Sequence, residues 1–387
     1  MTWILSLKVH HIAVFYNLLP LGATYQLYDP NTTTAAANGR FQRLPLAGNI
    51  LPASRLDKTA TGLLEFWPLP NYQGTPDGRQ NFQFLQTSWN YYKSHSAKVD
   101  HNFNEKHRMF GRYNQWYNQF TSGRLFPNDA LGNDRYRKNY GAVVDDIYVL
   151  TPSLLNDFRI GFNRLEQSFY PLAQGFDLAK IGFAPQLVSA ISANARTFPN
   201  INIAGYQALG TANFSRSFSN YGTLTDDLSW NRGNHSVKFG GEFRVYRENN
   251  YDYSNLVPQE TFNNRWTGGP LDNSPAAPIG QGLASFLLGL PSGGQISVNG
   301  SVAQQSKSTA FYVQDDWRVR RNLTLNIGLR YDFDSPLTER YNRSVRGFDF
   351  TKANPIASAA IANYAKSPLP ELPRQSIRRE RWPYICR

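Results

Sequence analysis

From Asn322 to Asp334 apolar and polar side chains alternate one by one. Leu323, Leu325, Ile327, Leu329, Tyr331 and Phe333 take the odd positions, with Asn322, Thr324, Asn326, Gly328, Arg330, Asp332 and Asp334 on the even ones. A period of two puts no stripe on a helix; it predicts a strand with one greasy and one wet face. His235–Arg247 repeats the pattern, setting Val237, Phe239, Phe243 and Val245 against Lys238, Glu242 and Arg244. Leu155–Arg164 does so through Phe158, Ile160 and Phe162, and Thr309–Val319 through Phe311, Val313, Trp317 and Val319, broken only by Asp315. Ser94–Phe103, Met109–Tyr117 and Thr223–Trp230 carry weaker versions, and Ala142–Leu150 is ambiguous. Eight strands are therefore expected, most of them longer than the roughly 5–6 residues usual in soluble proteins.

The connections carry more information than the strands. Very short links, Asn104-Glu105-Lys106, Thr151-Pro152-Ser153, Asn231 to Asn234 and Arg320-Arg321, alternate with long polar stretches at Asn118–Asn139, Gln167–Tyr221 and Asn249 to about Lys307. A soluble sandwich has no reason to collect its long loops at one end. An outer-membrane barrel does, with short periplasmic turns and long extracellular loops. Each first strand also carries an aromatic just before its short turn: Phe103, Tyr148, Trp230 and Trp317. Rings at one height near one strand end suit a membrane-interface girdle. The fold class expected is all-β: an antiparallel transmembrane β-barrel, partial in strand number.

The remaining chain reads differently. Asp29–Asn90 is rich in Pro and turn clusters, with one short helix expected over Leu56–Trp67, capped by Ser54 or Asp57 and stopped by Pro68. Met1–Phe15 resembles a signal peptide only superficially: its apolar run is interrupted by Lys8, His10 and His11, and no small-x-small cleavage site follows. No apolar run approaches the ~20 residues of a spanning helix. Aromatics at 14% and charged residues at 18%, with mean hydropathy −0.49, argue against disorder. The single cysteine, Cys386, excludes a disulfide framework. Net charge is 40 − 28 = +12, of which the tail Arg374–Arg387 supplies 5 − 1 = +4. The rest is spread without a Lys/Arg run, so nucleic acid is not expected as a partner.

Candidate chemistry is sparse. Acidic residues precede the four aromatics at Asp100, Asp145-Asp146, Asp226-Asp227 and Asp315-Asp316. Neighbours on a strand point to opposite faces and cannot converge on one ligand. One member of each pair is expected in a wet interior, facing a cation such as Arg159, Lys238 or Arg330. His95 and His101 share a face but stand ~20 Å apart along a strand, too far for one metal ion. No nucleophile elbow, P-loop or dinucleotide fingerprint occurs, and Gly280-Gln281-Gly282 opens a short apolar helix instead. No catalytic constellation, metal site or cofactor is expected. Asn249–Tyr253 and Tyr113–Phe120 combine aromatics and amides that could stack on a sugar or siderophore-like ligand.

Longer stretches resemble a known family. Arg43-Leu-Pro-Leu-Ala-Gly-Asn-Ile-Leu-Pro-Ala-Ser-Arg-Leu-Asp57 and Trp67-Pro-Leu-Pro-Asn71 resemble a loop segment of the Oar-like TonB-dependent transporters of the bacterial outer membrane. Lys98-Val-Asp-His-Asn-Phe103 and Lys106-His-Arg-Met-Phe-Gly-Arg-Tyr113 are similar to barrel strands of that family. The resemblance continues through Gly233-Asn-His-Ser-Val-Lys-Phe-Gly-Gly-Glu-Phe243, Phe286-Leu-Leu-Gly-Leu-Pro291, Phe311-Tyr-Val-Gln-Asp-Asp-Trp317 and Leu323-Thr-Leu-Asn-Ile-Gly-Leu-Arg-Tyr331. The resemblance covers roughly Tyr25–Lys366. It implies a barrel of about 22 strands, closed by a plug on which an inner-membrane TonB complex pulls. Neither a plug nor a TonB box is expected before Tyr25.

The chain accordingly divides into residues 1–24, a start outside the family pattern, and 25–92, a loop-rich extracellular segment with one helix. Residues 93–366 form the partial barrel, and 367–387 its end with a basic tail resembling out-of-frame translation. The expected function is part of the barrel of a TonB-dependent receptor for active uptake of a scarce nutrient, inactive as a fragment. Its partners would be outer-membrane lipid, an unidentified nutrient and, through the missing plug, the TonB complex. A plugless porin would fit the missing plug but not the loop signatures, and a soluble all-β carbohydrate-binding protein or glycosidase could use the same aromatics.

Overall fold

Each alternating run becomes one strand of a single antiparallel meander. In the computed structural model these are β1 (Asn90–Asn104), β2 (His107–Ser122), β3 (Asn133–Thr151), β4 (Leu154–Pro171), β5 (Ser215–Arg232), β6 (His235–Asp252), β7 (Ser301–Arg320) and β8 (Leu323–Asp334). The described residues are 15–344 except 212–213, 255 and 298–300, with 347–349, 357–366, 368 and 384–386. The expectations for residues 1–14 and for most of the tail beyond 366 lie outside them. Every strand pairs with its neighbours in sequence, so the sheet runs from β1 to β8 in chain order, with those two as its edges among the described residues. The short turns are Glu105-Lys106, Pro152-Ser153, Gly233-Asn234 and Arg321-Asn322, all at one end of the sheet. Three first strands bulge just before their turn, around Phe103, Leu150 and Val319.

The register fixes two faces. Tyr113, Ala142, Phe162, Gly222 and Val245 form one cross-strand row, and residues two apart continue on the same face. That face carries Val144, Ile160, Leu224, Phe239, Phe243, Phe311, Val313, Ile327 and Leu329, nearly all exposed. Its apolar band spans about 9–11 residues of each strand, the length needed to cross hydrocarbon. The opposite face carries Arg108, Arg112, Asp145, Asp157, Arg159, Asp227, Glu242, Arg244 and Arg330. β3 to β7 run to 18–20 residues (19, 18, 18, 18 and 20), about twice what hydrocarbon demands. The surplus lies at the long-loop end, where aliphatic residues give way to polar and aromatic ones and the period-two signal fades.

The described residues of the long loops, 123–132, 172–214 and 253–297, do not behave as separate polar excursions. Together with residues 15–89 they pack into a cap with its own hydrophobic core. Ring contacts cross its parts: Phe66 meets Phe198 at 4.6 Å and Phe176 at 5.6 Å, Phe82 meets Phe126 at 5.8 Å, and Trp67 meets Phe286 at 5.8 Å. Helix α1 (Lys58–Leu64) is capped by Asp57, whose Oδ1 accepts from the Ala60 N–H. It is shorter than the segment to Pro68 allowed. A second helix, α2 (Pro185–Ala190), and a buried third, α3 (Gln281–Leu287), complete the cap's helices. The strand Gln259–Phe262 pairs in parallel with Asn200–Ile203 and antiparallel with Gly293–Gln295.

Several buried polar groups in the cap are satisfied internally, as a dry core favours. The Asn49 side chain, fully buried, accepts from the Leu27 N–H at 2.8 Å and donates to Tyr25 O at 2.8 Å. Thr267 donates to Gln281 O at 2.6 Å, and Ser285 to Asn263 O at 2.8 Å. Burial tends to raise the Asp29 carboxyl, but the Arg55 guanidinium, donating at 2.9 Å to each oxygen, and the Asn31 N–H hold it below its ordinary value. Asp77 is lowered likewise: burial opposes it, while Thr75, the Arg79 N–H and the Arg79 side chain prevail.

Candidate functional site

The inner face of the sheet is a ladder of charge. Asp145, 1% exposed, lies opposite Arg159 on β4 and takes both a hydrogen bond and an ion pair from its guanidinium. Arg159 also lies 3.9 Å from Asp157. Asp227 accepts from Tyr312 Oη at 3.0 Å. Glu242 engages Arg244 on its own strand and Arg330 of β8 at 3.4 Å, and Arg330 reaches Asp332 at 2.9 Å. Gly240 makes room for the Asp227–Tyr312 bond: a Cβ there would lie 2.1 Å from Asp227 Oδ1 and 2.9 Å from the Tyr312 ring. Such a face suits a wet interior and is intolerable against hydrocarbon.

The aspartate pairs split between faces as strand geometry demands. Asp145 turns inward to Arg159, whereas Asp146 lies on the apolar face 2.6 Å from His107. Asp227 turns inward to Tyr312, and Asp226 accepts from Asn156 at 2.6 Å on the outer side. Asp316 accepts from Gln314 at 3.3 Å, while Asp315 takes His235 at 2.6 Å. Of the three cations expected to face these pairs, Arg159 does so. Lys238 stands opposite Ser229 and Gln314, and Arg330 serves Glu242 and Asp332. The interior therefore satisfies its carboxylates with tyrosine and glutamine as well as with cations.

Phe103, Tyr148, Trp230 and Trp317 all project from the apolar face, close to the short turns. Phe103 stacks on His107 at 4.5 Å, His107 meets Tyr148 at 5.0 Å, and Trp317 stacks on His235 at 5.3 Å. Cross-strand rows shift by two residues from Tyr148 to Trp230, and by two more from Trp230 to Trp317. Each step crosses two strands, so rings at equal height require a strand tilt of about 35° (~6.8 Å along against ~9.6 Å across), within the range of closed barrels.

A second aromatic row, at the long-loop end of the same face, was not anticipated. Tyr91, Tyr117, Tyr136 and Tyr170 follow one another at 6.0, 6.4 and 5.9 Å on four successive strands. Lys93 lies 5.6 Å from the Tyr117 ring, and Arg164 lies 4.9 Å from that of Phe218. Tyr91 and Tyr136 each precede their strand's turn-end ring, Phe103 and Tyr148, by the same spacing, which was the available signal. The stretch Tyr113–Phe120, a candidate ligand platform, divides between faces. Trp116 stacks on Tyr92 inside at 6.2 Å, while Tyr117 joins the outer row. Tyr251 and Tyr253 separate too, Tyr253 packing on Phe214 in the cap at 5.0 Å. His95 and His101 lie exposed on β1, and no cluster of three His, Cys, Asp or Glu capable of holding a metal occurs among the described residues. No helix among the described residues is long and apolar enough to span a membrane.

The family described as "Outer membrane beta barrel domain" matches residues 16–379. Among solved structures, the outer membrane transporter YddB from Escherichia coli is similar at 13% identity and a TM-score of 0.44, over 70% of this chain and 31% of that one. The chain thus spans about a third of that transporter's length. No curated protein matches it.

Proposed function

The chain belongs to the outer membrane β-barrel domain family and resides in the outer membrane, and from that premise we propose that it forms part of the wall of a TonB-dependent transporter that takes up a scarce nutrient. The observation carrying this reading is the pairing of a charged inner face with a packed extracellular cap over the long-loop end. A passive pore needs a wet interior but not a loop body of this size, whereas a receptor needs a structured outer surface on which to select its ligand. Short turns face the periplasm, and the cap lies outside. Phe103, Tyr148, Trp230 and Trp317 serve as the periplasmic girdle, their rings stable at the headgroup level. The role assigned is transport and not catalysis. The soluble carbohydrate-binding alternative gives way to the outer-membrane assignment.

Two measurements test the proposal. Spent medium from wild-type and deletion strains, compared by mass spectrometry, should show one solute depleted only when the gene is intact. That depletion should stop when the proton-motive force is dissipated. Depletion that continues in de-energised cells would replace active transport with a passive pore.

A further inference from the structure

The outer face of the barrel wall carries a basic groove of about 470 Å³ where the apolar band ends and the long-loop extension begins. Arg164 on β4, Asn220 on β5 and Arg247 on β6 occupy one cross-strand row, and Arg340, from the segment after β8, reaches Asn249 one row above. Directly below, towards the short turns, lie Phe162, Gly222 and Val245, and below them Ile160, Leu224 and Phe243. The three arginines bond to amides: Arg164 donates to Asn220 at 2.8 Å, Arg247 to Gln305 at 2.7 Å, and Arg340 to Asn249. No carboxylate lines the groove. Glu166 and Glu339, the acids next to this cluster, are engaged by Arg216 at 3.6 Å and Arg343 at 3.0 Å. Three guanidiniums without an acid, on the membrane-facing side of a transmembrane wall, ask for an anion that the membrane itself supplies.

We propose that this groove binds the phosphorylated sugar headgroup of an outer-leaflet glycolipid, lipid A being the type. Height argues for a lipid, because the groove opens at the upper edge of the hydrocarbon band. Shape argues for it too: a Cβ on Gly222 would touch nothing within 4 Å, so the groove floor is open above the apolar rows where an acyl chain would run. Arg164 and Arg247 stand two strand spacings apart, about 10 Å. That separation matches two phosphates carried on one sugar scaffold better than a single phosphate. Guanidinium–phosphate bonds are charge-assisted and can be bidentate, which adds geometric selectivity to charge.

The test uses the full chain extracted from outer membranes in a non-ionic detergent. Thermal unfolding is followed while bisphosphorylated lipid A, monophosphorylated lipid A, phosphatidylglycerol or inorganic phosphate is added. Bisphosphorylated lipid A should stabilise at the lowest concentration. Arg164→Gln with Arg247→Gln should weaken that response about tenfold per arginine removed. Arg164→Lys with Arg247→Lys should retain most of it, and Gly222→Leu, which fills the floor with all charges in place, should lose it. Heat-modifiable migration in electrophoresis confirms that each variant is folded. Equal stabilisation by inorganic phosphate, or an unchanged lipid A response in the Gln double variant or in Gly222→Leu, would overturn the proposal.

Discussion

The strand wall and the loop cap solve opposite problems with similar residues. In the wall, Ile160, Phe243, Val313 and Leu329 point outward and the charges point inward, because the surrounding solvent is hydrocarbon. In the cap, Leu27, Leu63, Phe126, Phe198 and Phe286 are buried against one another, as in any water-soluble domain. Half-exposed Ile160 and almost fully buried Phe198 are therefore equally constrained, one by lipid and one by packing. Exposure alone does not tell an apolar side chain's job; its solvent does.

Substitutions that act on one region only would sharpen this contrast. The largest effect is expected at Phe198→Ala, which opens the Phe66–Phe176–Phe198 ring cluster at about 3–5 kcal/mol. Limited proteolysis should then cut within 172–214, while the detergent resistance of the wall stays unchanged; simultaneous loss of both would show that cap and wall fold as one unit. Ile160→Arg should cost about 2–4 kcal/mol of membrane folding, since it places a cation in the middle of the apolar band. Thr225→Arg, an inward-facing exchange one residue from Leu224, should be tolerated, and folding yield into lipid vesicles reports the difference. Asn49→Ala removes the buried amide that ties Tyr25 and Leu27 together, with an expected loss of about 1–3 kcal/mol confined to the cap by hydrogen exchange.

The smallest effect is a matter of pH. Asp29 and Asp77 are held below their ordinary values, so their contribution to cap stability is complete above about pH 4. It fades as pH falls further, through the lowered values. Protease sensitivity of the cap should rise below about pH 4 and that of the wall should not. A cap indifferent to acid would mean that Arg55 and Arg79 add nothing to its stability.

How much of this was legible in the sequence follows from the same contrast. The strands of the wall were readable, sharply at β4, β6, β7 and β8, weakly at β1, β2 and β5 and ambiguously at β3, because lipid on one side and water on the other impose a period of two. The readable part stops where hydrocarbon stops: Ser215–Tyr221 and Glu248–Asp252 are strand in the structure, but isolated aromatics such as Phe218 and Tyr251 among polar residues carry no alternation. The cap left almost no periodic trace. Outside α3 its core residues mostly arrive singly, Leu46 and Leu51 among Pro and Gly, Phe198 beside Pro199, and their partners come from near and far alike, Phe198 meeting Phe176 of its own loop and Phe66 from the segment before β1. Long-range packing without a local period is invisible to pattern reading. The same holds for Arg164, Arg247 and Arg340, which only strand register brings together.

The two-residue descent from Tyr148 to Trp230 to Trp317 makes the hairpin, and not the strand, this wall's unit of growth. It acts like the pitch of a screw thread: each added pair of strands must advance by that step for its aromatic to rejoin the ring. A one-residue insertion inside a strand would turn that strand inside out, and a two-residue insertion would leave its ring a whole hairpin step out of line. Length variation in such a gene is therefore filtered by position, free in the loops, quantised in pairs along the strands, and tightest beside the turns.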